Sequence, residues 1–299
     1  MPSGRAAALY HFPGRRRSAE VRHLAGSFPD LDTLERALDI AARAPSAQNA
    51  QPWRWRVTPS GVDLFADWTR RLGDGDSDRR DVLISCGAVL HHCAVAVTAA
   101  GWAPRVHRFP DRADGDHLAL IELIEAPPSA ADLELAAAIG RRRADRRPYR
   151  AESLPAGSLE MLHVRAERDG LRFGVVPKAH WGRSADGEVA LQFGRRADAP
   201  ADEAVLLVLG TESDTDLLRV RAGEVMSDLM LAATSMGLAS CPLTMPLSDT
   251  RDRLALACEV FDGEAYPQTL IRVGWAPDDG NPPPMLERRS VPETTEWLL

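Results

Sequence analysis

The chain carries two related copies of one pattern, and this repeat constrains the fold more than any other feature of the sequence. The segment that starts at Gly14 resembles the segment that starts at Gly140 (GRRRSAEVRHLAGSFPDLDTL and GRRRADRRPYRAESLPAGSLE), at a constant offset of 126 residues. The segment from Gly87 resembles the one from Gly223 (GAVLHHCAVAVTAAGWA and GEVMSDLMLAATSMGLA), at an offset of 136. Constant offsets over such windows indicate an ancient duplication within one chain.

The duplication predicts how the chain is divided. A first half of residues 1–130 and a second half of residues 131–299 would each contain one copy of the pattern. Because the offset grows by ten residues between the two windows, the second half is expected to contain an insertion between residues 160 and 220.

Helical and strand patterns are mixed along the chain without a strand–helix–strand rhythm, which predicts an α+β fold. A helix is expected from Leu31 to Ala41, capped by Asp30 or Asp32 and ended by Pro45. The other predicted elements are a hairpin of WRWRV and VDLFA, long helices at residues 82–100 and 219–237, and buried strands at residues 118–125, 204–210 and 269–275.

Charge and hydropathy exclude some classes of function. A net charge of −7 argues against a dedicated nucleic-acid binder, which would carry a basic domain. There is no run of about 18 apolar residues, and the N-terminal segment has no sustained apolar stretch. We therefore expect a cytoplasmic protein that acts on a small molecule and binds neither nucleic acid nor membrane.

No pattern of metal ligands or catalytic side chains is evident. The four cysteines lack CxxC spacing and are expected to be buried thiols, and His91 and His92 are adjacent, which does not suit two zinc ligands on one helix face. The segment at residues 74–81 starts like a calcium loop but lacks its glycine and glutamate, and is expected to begin a helix instead. We predict no metal site. Since a nucleophile with an obvious base is also absent, chemistry would have to come from a cofactor.

The stretch APSAQNAQPW gathers polar, uncharged side chains after the first helix. Ser46, Gln48, Asn49 and Gln51 offer hydrogen-bond donors and acceptors without a charge, which suits a neutral polar ligand. The alternative is that these groups satisfy the backbone of the loop itself. The residues alone leave both interpretations open.

Two further segments have the chemistry of a binding site. GRRRADRRPY, from Gly140 to Tyr149, places five arginines around one aspartate, which suits a phosphate or, equally, a solvated basic surface. The C-terminal ERRSVP adds Arg288 and Arg289. The proline-containing loop GLASCPLTMPL could present rigid backbone groups to the edge of a flat heterocycle, or could be a plain connector.

These segments, in this order, resemble the nitroreductase family of FMN-dependent oxidoreductases. APSAQNAQPW is similar to the family's helix-end motif, RRRADRRPY to its arginine motif and GLASCPLTMP to its flavin-edge loop. RVGWAP…ERRSVP is similar to its last strand and basic tail. DRRDVLISCGAVL and DRRPY resemble the Acg-type branch, in which one chain holds two nitroreductase-like halves. The resemblance covers the chain from about residue 14 onward.

The resemblance implies a nitroreductase-like fold and assigns the charged and edge contacts to the second half. The FMN phosphate would be held by Arg143 and Arg147, aided by Arg288 or Arg289. The loop that carries Thr244 and Met245 would address the isoalloxazine edge near N5 and O4, chiefly through its backbone. These residues are expected to bind FMN rather than to act as catalysts, since the chemistry is carried by N5 of the cofactor.

The first half would supply the contacts to the uncharged part of FMN. Pro45, Ser46, Asn49 and Gln51 are expected at the ribityl chain and the pyrimidine. One departure from the family leaves the phosphate register open. Asp145 stands where the motif has serine, so Arg142 and Arg146 could replace the pair named above.

The second half lacks its own copy of the APS-Asn loop. Near residue 170, where the offset of 126 would place that loop, the chain reads GLRFGVVPKAHW, without serine or asparagine. We therefore expect one FMN per chain, in a monomer that resembles the family dimer. The inserted residues 170–203 are expected to form a lid.

The resemblance implies transfer of electrons from NAD(P)H through FMN to a nitroaromatic, a quinone or a similar electron-poor acceptor. An alternative is a protein that sequesters FMN beneath a lid containing Trp181, with little turnover. A third hypothesis, a regulatory protein that binds an acidic partner through its arginines, fits poorly with the net charge of −7.

Overall fold

The structure is a computed structural model that describes residues 28–111, 113–184, 186–193, 202–279 and 281–299. The first copy of the arginine-rich segment, at residues 14–17, lies outside the described residues. The helices are α1 (Leu31–Ala41), α2 (Asp76–Ala99), α3 (Ala130–Arg141), α4 (Ser158–Arg168), α5 (Asp216–Ser235), α6 (Thr250–Phe261) and α7 (Val291–Thr294). The strands are β1 (Trp53–Thr58), β2 (Gly61–Ala66), β3 (Trp102–Arg108), β4 (His117–Glu125), β5 (Arg172–Val175), β6 (Trp181–Arg183), β7 (Val189–Leu191), β8 (Val205–Thr211), β9 (Ala239–Leu243), β10 (Tyr266–Gly274) and β11 (Thr295–Trp297).

The first helix and the first hairpin form where the sequence predicts them. Asp30 caps α1 by accepting a hydrogen bond from the Thr33 amide at 2.7 Å. In β1 the buried Trp53 and Trp55 alternate with exposed arginines, so one face of the strand packs on the core. The segment at residues 74–81 begins α2, as expected.

Two main sheets contain most of the strands. One has the order β11-β1-β2-β4-β3, the other has the order β5-β8-β10-β9, and β6 and β7 form a separate hairpin. The C-terminal β11 pairs in parallel with β1, so the tail of the second half completes the sheet of the first half.

The duplication is visible in the topology. The series α1-β1-β2-α2-β3-β4 is repeated by α4-β5-β8-α5-β9-β10, and the strand order β1-β2-β4-β3 is repeated by β5-β8-β10-β9. The second half adds α6 between β9 and β10. It also has the segment 176–204 between β5 and β8, where the first half has only the turn at residues 59–60 between β1 and β2. The prediction of an insertion between residues 160 and 220 is thus confirmed.

The two long helices meet at matching glycines. A Cβ added to Gly87 of α2 would lie 1.9 Å from the carbonyl oxygen of Val220, and one added to Gly223 of α5 would lie 2.0 Å from that of Ile84. Ile84 and Val220 are themselves 136 residues apart, so each half makes the contact that the other half receives. Such reciprocity is the property of a twofold interface between two subunits.

Helix α2 is also apolar and long enough to cross a membrane by length and composition. However, 78% of its most apolar 18-residue window is buried inside the protein, where it packs along α5. This burial is typical of the core helix of a globular domain.

One expectation needs correction. Cys86, Cys93 and Cys241 are buried, but Cys258 on α6 is exposed, because α6 lies on the outside of its sheet with one face in solvent. His91 and His92 both contact the hydroxyl of Ser227 on α5, with Nδ1 atoms at 2.8 and 2.7 Å from it. Within the described residues, no group of three or more His, Cys, Asp or Glu side chains could hold a metal ion.

Candidate functional site

A cavity of about 940 Å³, here called the main cavity, lies where the two halves meet. The first half contributes the end of α1 and the loop that follows it. The second half contributes residues 142–147 after α3, Cys241 and Pro242 of β9, and part of the tail at residues 281–288. This volume is within the range of pockets that bind cofactors or drug-sized molecules.

The loop after α1 turns sharply because three of its residues adopt left-handed backbone conformations. Gln48, Asn49 and Gln51 have φ values of 45°, 57° and 50°, a region that Asn tolerates better than branched residues. The Ser46 hydroxyl accepts a hydrogen bond from the Gln51 amide at 3.0 Å, and Ser85 of α2 accepts one from the Ala47 amide at 3.2 Å. The loop is therefore anchored both to itself and to α2.

The side-chain amides of this loop hold the C-terminal tail. Asn49 Nδ2 donates to the carbonyl of Glu287 at 3.0 Å, and Gln51 Oε1 accepts from the amide of Arg289 at 2.8 Å. Gln51 is only 5% exposed and does not line the main cavity. The side-chain amides of Asn49 and Gln51 thus satisfy backbone groups, as in the second of the two interpretations, although these groups belong to the tail rather than to the loop.

Pro45, Ser46 and Asn49 line the main cavity, as does Gln48, which the assignment from the sequence left out. Gln48 is exposed and makes no side-chain hydrogen bond to another described residue. Its side chain is therefore free to meet a ligand.

Four arginines in the wall of the main cavity form what we call the arginine cluster: Arg43, Arg142, Arg143 and Arg288. No carboxylate of the described chain lies within ion-pair distance of any of the four. Arg142 Nη2 donates to the carbonyl of Arg43 at 3.0 Å, and Arg288 Nη1 donates to Asn49 Oδ1 at 2.9 Å. Three buried nitrogens remain without a partner among the described residues: Nε and Nη1 of Arg142, and Nε of Arg288.

The charges of the arginine cluster oppose one another. Burial, followed by repulsion from Arg288 and Arg143, lowers the pKa of Arg142 to about 10. The pKa of Arg288 is lowered as well, by burial and then by Arg43 and Arg143. Burial and mutual repulsion disfavour the charged form of these arginines. A bound anion would therefore offset the free-energy cost of keeping them protonated.

The remaining arginines of the motif already have counter-charges. Arg147 lines the main cavity, but it lies 2.7 Å from Asp145 and 2.7 Å from Asp279. Arg146 pairs with Glu188 at 3.3 Å.

Arg289, in contrast, does not line the main cavity. Its guanidinium donates to the carbonyl of Gln51 at 3.2 Å and lies 3.6 Å from Asp67. It is therefore engaged in joining the tail to the first half.

A smaller cavity of about 90 Å³, here called the edge cavity, adjoins the main cavity, and five residues line both: Pro45, Ser46, Gln48, Arg146 and Pro242. Thr244 and Met245 line the edge cavity and not the main one. The loop predicted to address a heterocycle edge thus lies beside the main cavity, on the side of α2.

The expected lid has a different structure from the one predicted. Residues 172–175 form β5, an edge strand of the second sheet, so this part of the segment 170–203 belongs to the sheet rather than to a lid. Residue 185 and residues 194–201 lie outside the described residues. Trp181 is 4% exposed and packs in the core under Lys178, whose Nζ lies 4.1 Å from the ring centroid. It lines neither cavity. Glu188 and Val189 of the β6–β7 hairpin do line the edge cavity.

Comparisons with known proteins agree with this architecture. The Nitroreductase family matches residues 14–74 and 179–275, with one matched segment starting in each half. The Mycobacterium tuberculosis H37Rv protein provisionally named NAD(P)H nitroreductase Rv3131 is 39% identical, over 90% of this chain and 93% of that protein. Acg of the same strain, another protein provisionally named NAD(P)H nitroreductase, is 32% identical, over 88% of this chain and 95% of its own length.

Structural similarity points the same way. The crystal structure of an Anabaena variabilis ATCC 29413 protein, provisionally named a nitroreductase, covers 85% of this chain and 90% of that protein. The TM-score is 0.53 at 11% identity, which shows a shared fold. From its two-segment family match, its relatives and its repeated topology, the chain belongs to the nitroreductase family and is similar to Acg.

Proposed function

We propose that the protein binds FMN in the main cavity and uses NAD(P)H to reduce an electron-poor small molecule such as a nitroaromatic compound or a quinone. The observation that carries this proposal is the arginine cluster, whose four cations line a cavity shared by both halves without a carboxylate partner among the described residues. Family membership and the names of the relatives support NAD(P)H as the reductant.

The donor groups of the cavity fit a phosphate. Guanidinium groups match phosphate oxygens with paired N–H donors, and those of Arg142 and Arg288 include buried nitrogens without a partner in the described chain. We therefore assign the phosphate to Arg142, Arg143 and Arg288. Arg147 and Arg289, which the family resemblance suggested, are already paired or bonded and would instead hold the walls of the site in place.

The uncharged part of FMN would lie against the first half. Pro45, Ser46, Gln48 and Asn49 line the cavity without adding charge. The backbone of the loop that carries Thr244 and Met245 would face the isoalloxazine edge, and Gln51 would support the loop from behind. When bound, FMN supplies two-electron transfer, while the chain binds and orients it and limits the access of water.

We expect a single FMN per chain in a monomer that resembles the family dimer. Where the first half has Ser85, which binds the loop amide of Ala47, the matching position 136 residues later is Arg221. The Arg221 guanidinium donates to the carbonyl of Asp169 at the end of α4. An arginine in this place would fill the space in the second half that corresponds to the binding site beside Ser85. The second half also lacks the polar loop.

Anaerobic mixing with each nicotinamide nucleotide tests this function. The purified protein, after incubation with FMN, should show a flavin absorption spectrum that bleaches on adding NADPH or NADH and returns on adding a quinone. A protein that takes up no FMN would overturn the proposal. A free-FMN sample without protein provides the baseline for bleaching in solution.

One observation favours a second candidate, sequestration of FMN with little turnover. The Arg146–Glu188 ion pair, at 3.3 Å, holds the β6–β7 hairpin beside the edge cavity, where it would limit access to the cofactor edge. A bound flavin that resists both nucleotides in the native protein but bleaches in the Glu188→Gln variant would support this candidate. Equal bleaching in both proteins would rule out control by this ion pair.

A further inference from the structure

Asp81 of α2 is a carboxylate that the nitroreductase-like site does not yet employ. It lines the edge cavity together with Ser85, Thr244 and Met245. Its Oδ1 atom is buried and has no hydrogen-bond partner in the described part of the chain. The other carboxylate of this cavity, Glu188, is 44% exposed at its side chain and is paired with Arg146. Asp81 is thus the carboxylate of the edge cavity without an ion-pair partner among the described residues.

The surroundings of Asp81 allow it to hold a proton in mildly acidic solution. Burial raises its pKa to about 6, against the opposing effects of a hydrogen bond with Thr244 and of the Arg80 charge, while Asp78 reinforces the rise. Arg80 and Asp78 lie on α2 itself, and Arg80 directs Nη2 to the carbonyl of Leu247 at 2.8 Å.

The other elements around the edge cavity add little net charge. The segment after α3 contributes Arg146 and the hairpin contributes Glu188, which neutralise each other. The loop at residues 244–246 contributes no charged side chain to the cavity. The protonation of Asp81 is therefore governed mainly by its burial.

We propose that Asp81 is the proton donor for the reduction, delivering a proton to the acceptor at the cofactor edge. This assignment rests on the proposed function, because the loop of Thr244 and Met245 is what places the isoalloxazine edge beside Asp81. A carboxylic acid that borders the reacting edge, with one oxygen that has no hydrogen-bond partner in the described chain, is suited to general acid catalysis.

The overall reaction requires such a donor. Reduction of a quinone to a quinol consumes two electrons and two protons, and NAD(P)H supplies both electrons and one proton as a hydride. The second O–H bond of the quinol forms as the O–H bond of the Asp81 carboxyl breaks, and the resulting carboxylate then takes a proton from water. For a nitro group the same count gives a nitroso product and one water molecule.

The test compares Asp81→Asn with the wild-type protein and with Asp32→Asn, an exposed aspartate in the first turn of α1. The rate of quinone reduction by the FMN-loaded protein is measured from about pH 5 to about pH 8, where a group of this kind titrates. In the wild type the rate should fall above about pH 6 by tenfold per pH unit, since the acid form is lost. Asp81→Asn should lose this dependence and reduce the rate about 100-fold at low pH. Asp32→Asn should change neither.

An infrared difference titration supplies a readout that is independent of activity. The wild-type protein should show a carboxylic acid signal that disappears near pH 6, and this signal should be missing from Asp81→Asn. Asp81→Glu, which keeps the acid, should retain the falling limb of the pH profile. These measurements on the wild type and on Asp81→Glu decide the question even if Asp81→Asn does not fold.

The outcomes also separate this inference from the proposed function. A protein that binds FMN and turns over, but whose rate is flat across the pH range or whose Asp81→Asn variant keeps the same limb, contradicts the role of Asp81 alone. A protein that takes up no FMN contradicts the proposed function, whatever the infrared titration shows.

Discussion

The reciprocal contact between α2 and α5 makes the substitution Gly87→Ala a sensitive probe of the pseudo-twofold core. The added Cβ would lie 1.9 Å from the carbonyl oxygen of Val220, whereas ordinary van der Waals contact begins at 3.4 Å. The two helices would have to separate by about 1.5 Å, and the atom in the way is backbone rather than a movable side chain. Overpacking of this severity costs about 3 kcal/mol.

Part of that cost is offset because alanine is a better helix former than glycine, by about 1 kcal/mol. We therefore expect Gly87→Ala to lower the free energy of unfolding by about 2 kcal/mol, measured from the midpoint of urea denaturation. Gly140→Ala is the matched control. Gly140 lies in α3, and an added Cβ would meet no atom within 4 Å, so this change should stabilise the protein or leave it unchanged.

The double variant gives a sharper result. Because one separation of the helices relieves both contacts, Gly87→Ala combined with Gly223→Ala should cost less than the sum of the two single changes. A Gly87→Ala protein as stable as the wild type, or strictly additive effects of the two changes, would refute the reciprocal packing of α2 and α5.

Two further predictions concern charge. Asn49→Asp would place a carboxylate at the position that accepts a hydrogen bond from Arg288 at 2.9 Å. Because this carboxylate would neutralise an arginine assigned to the phosphate, the affinity for FMN should fall tenfold or more. An unchanged Kd in a fluorescence titration would contradict the assignment of Arg288. Burial raises the pKa of Asp214, but hydrogen bonds, chiefly from Arg219 and Arg253, outweigh it and hold the pKa below its ordinary value. This stabilisation is present above about pH 4 and is lost as the pH falls toward the folded-state pKa. Asp214→Asn should therefore destabilise the protein by about 3 kcal/mol at neutral pH and by less below about pH 4. Urea unfolding of both proteins at both pH values measures this effect. A difference in unfolding free energy between wild type and variant that does not change with pH would count against the ion pairs.

The repeat was predictable from the sequence because the packing of α2 on α5 fixes particular residues. Gly87 and Gly223 leave no room for a side chain, so both halves show the same residue at the same place in the pattern. Most strands of the two main sheets are apolar or alternating runs, and their period is visible locally. In contrast, β11 is three residues long and has no recognisable period, so its pairing with β1 could not be anticipated.

The candidate site was predictable as a set of segments but not as a set of contacts. Asp145 is next to the arginines in sequence, whereas Asp279, the second partner of Arg147, is 132 residues away and gives no local signal. The hydrogen bonds from Asn49 and Gln51 to the C-terminal tail likewise depend on residues more than 230 positions later. Long-range contacts of this kind decide which arginines remain without a counter-charge.

The central claim is that one FMN binds between the halves through the arginine cluster. A fluorescence titration of the purified chain with FMN, repeated on Arg142→Met and Arg147→Met, tests it most directly. We predict one FMN per chain, an affinity at least tenfold weaker in Arg142→Met, and a smaller loss in Arg147→Met because Asp145 and Asp279 already neutralise that arginine. No binding, two sites per chain, or a larger loss in Arg147→Met than in Arg142→Met would contradict the account.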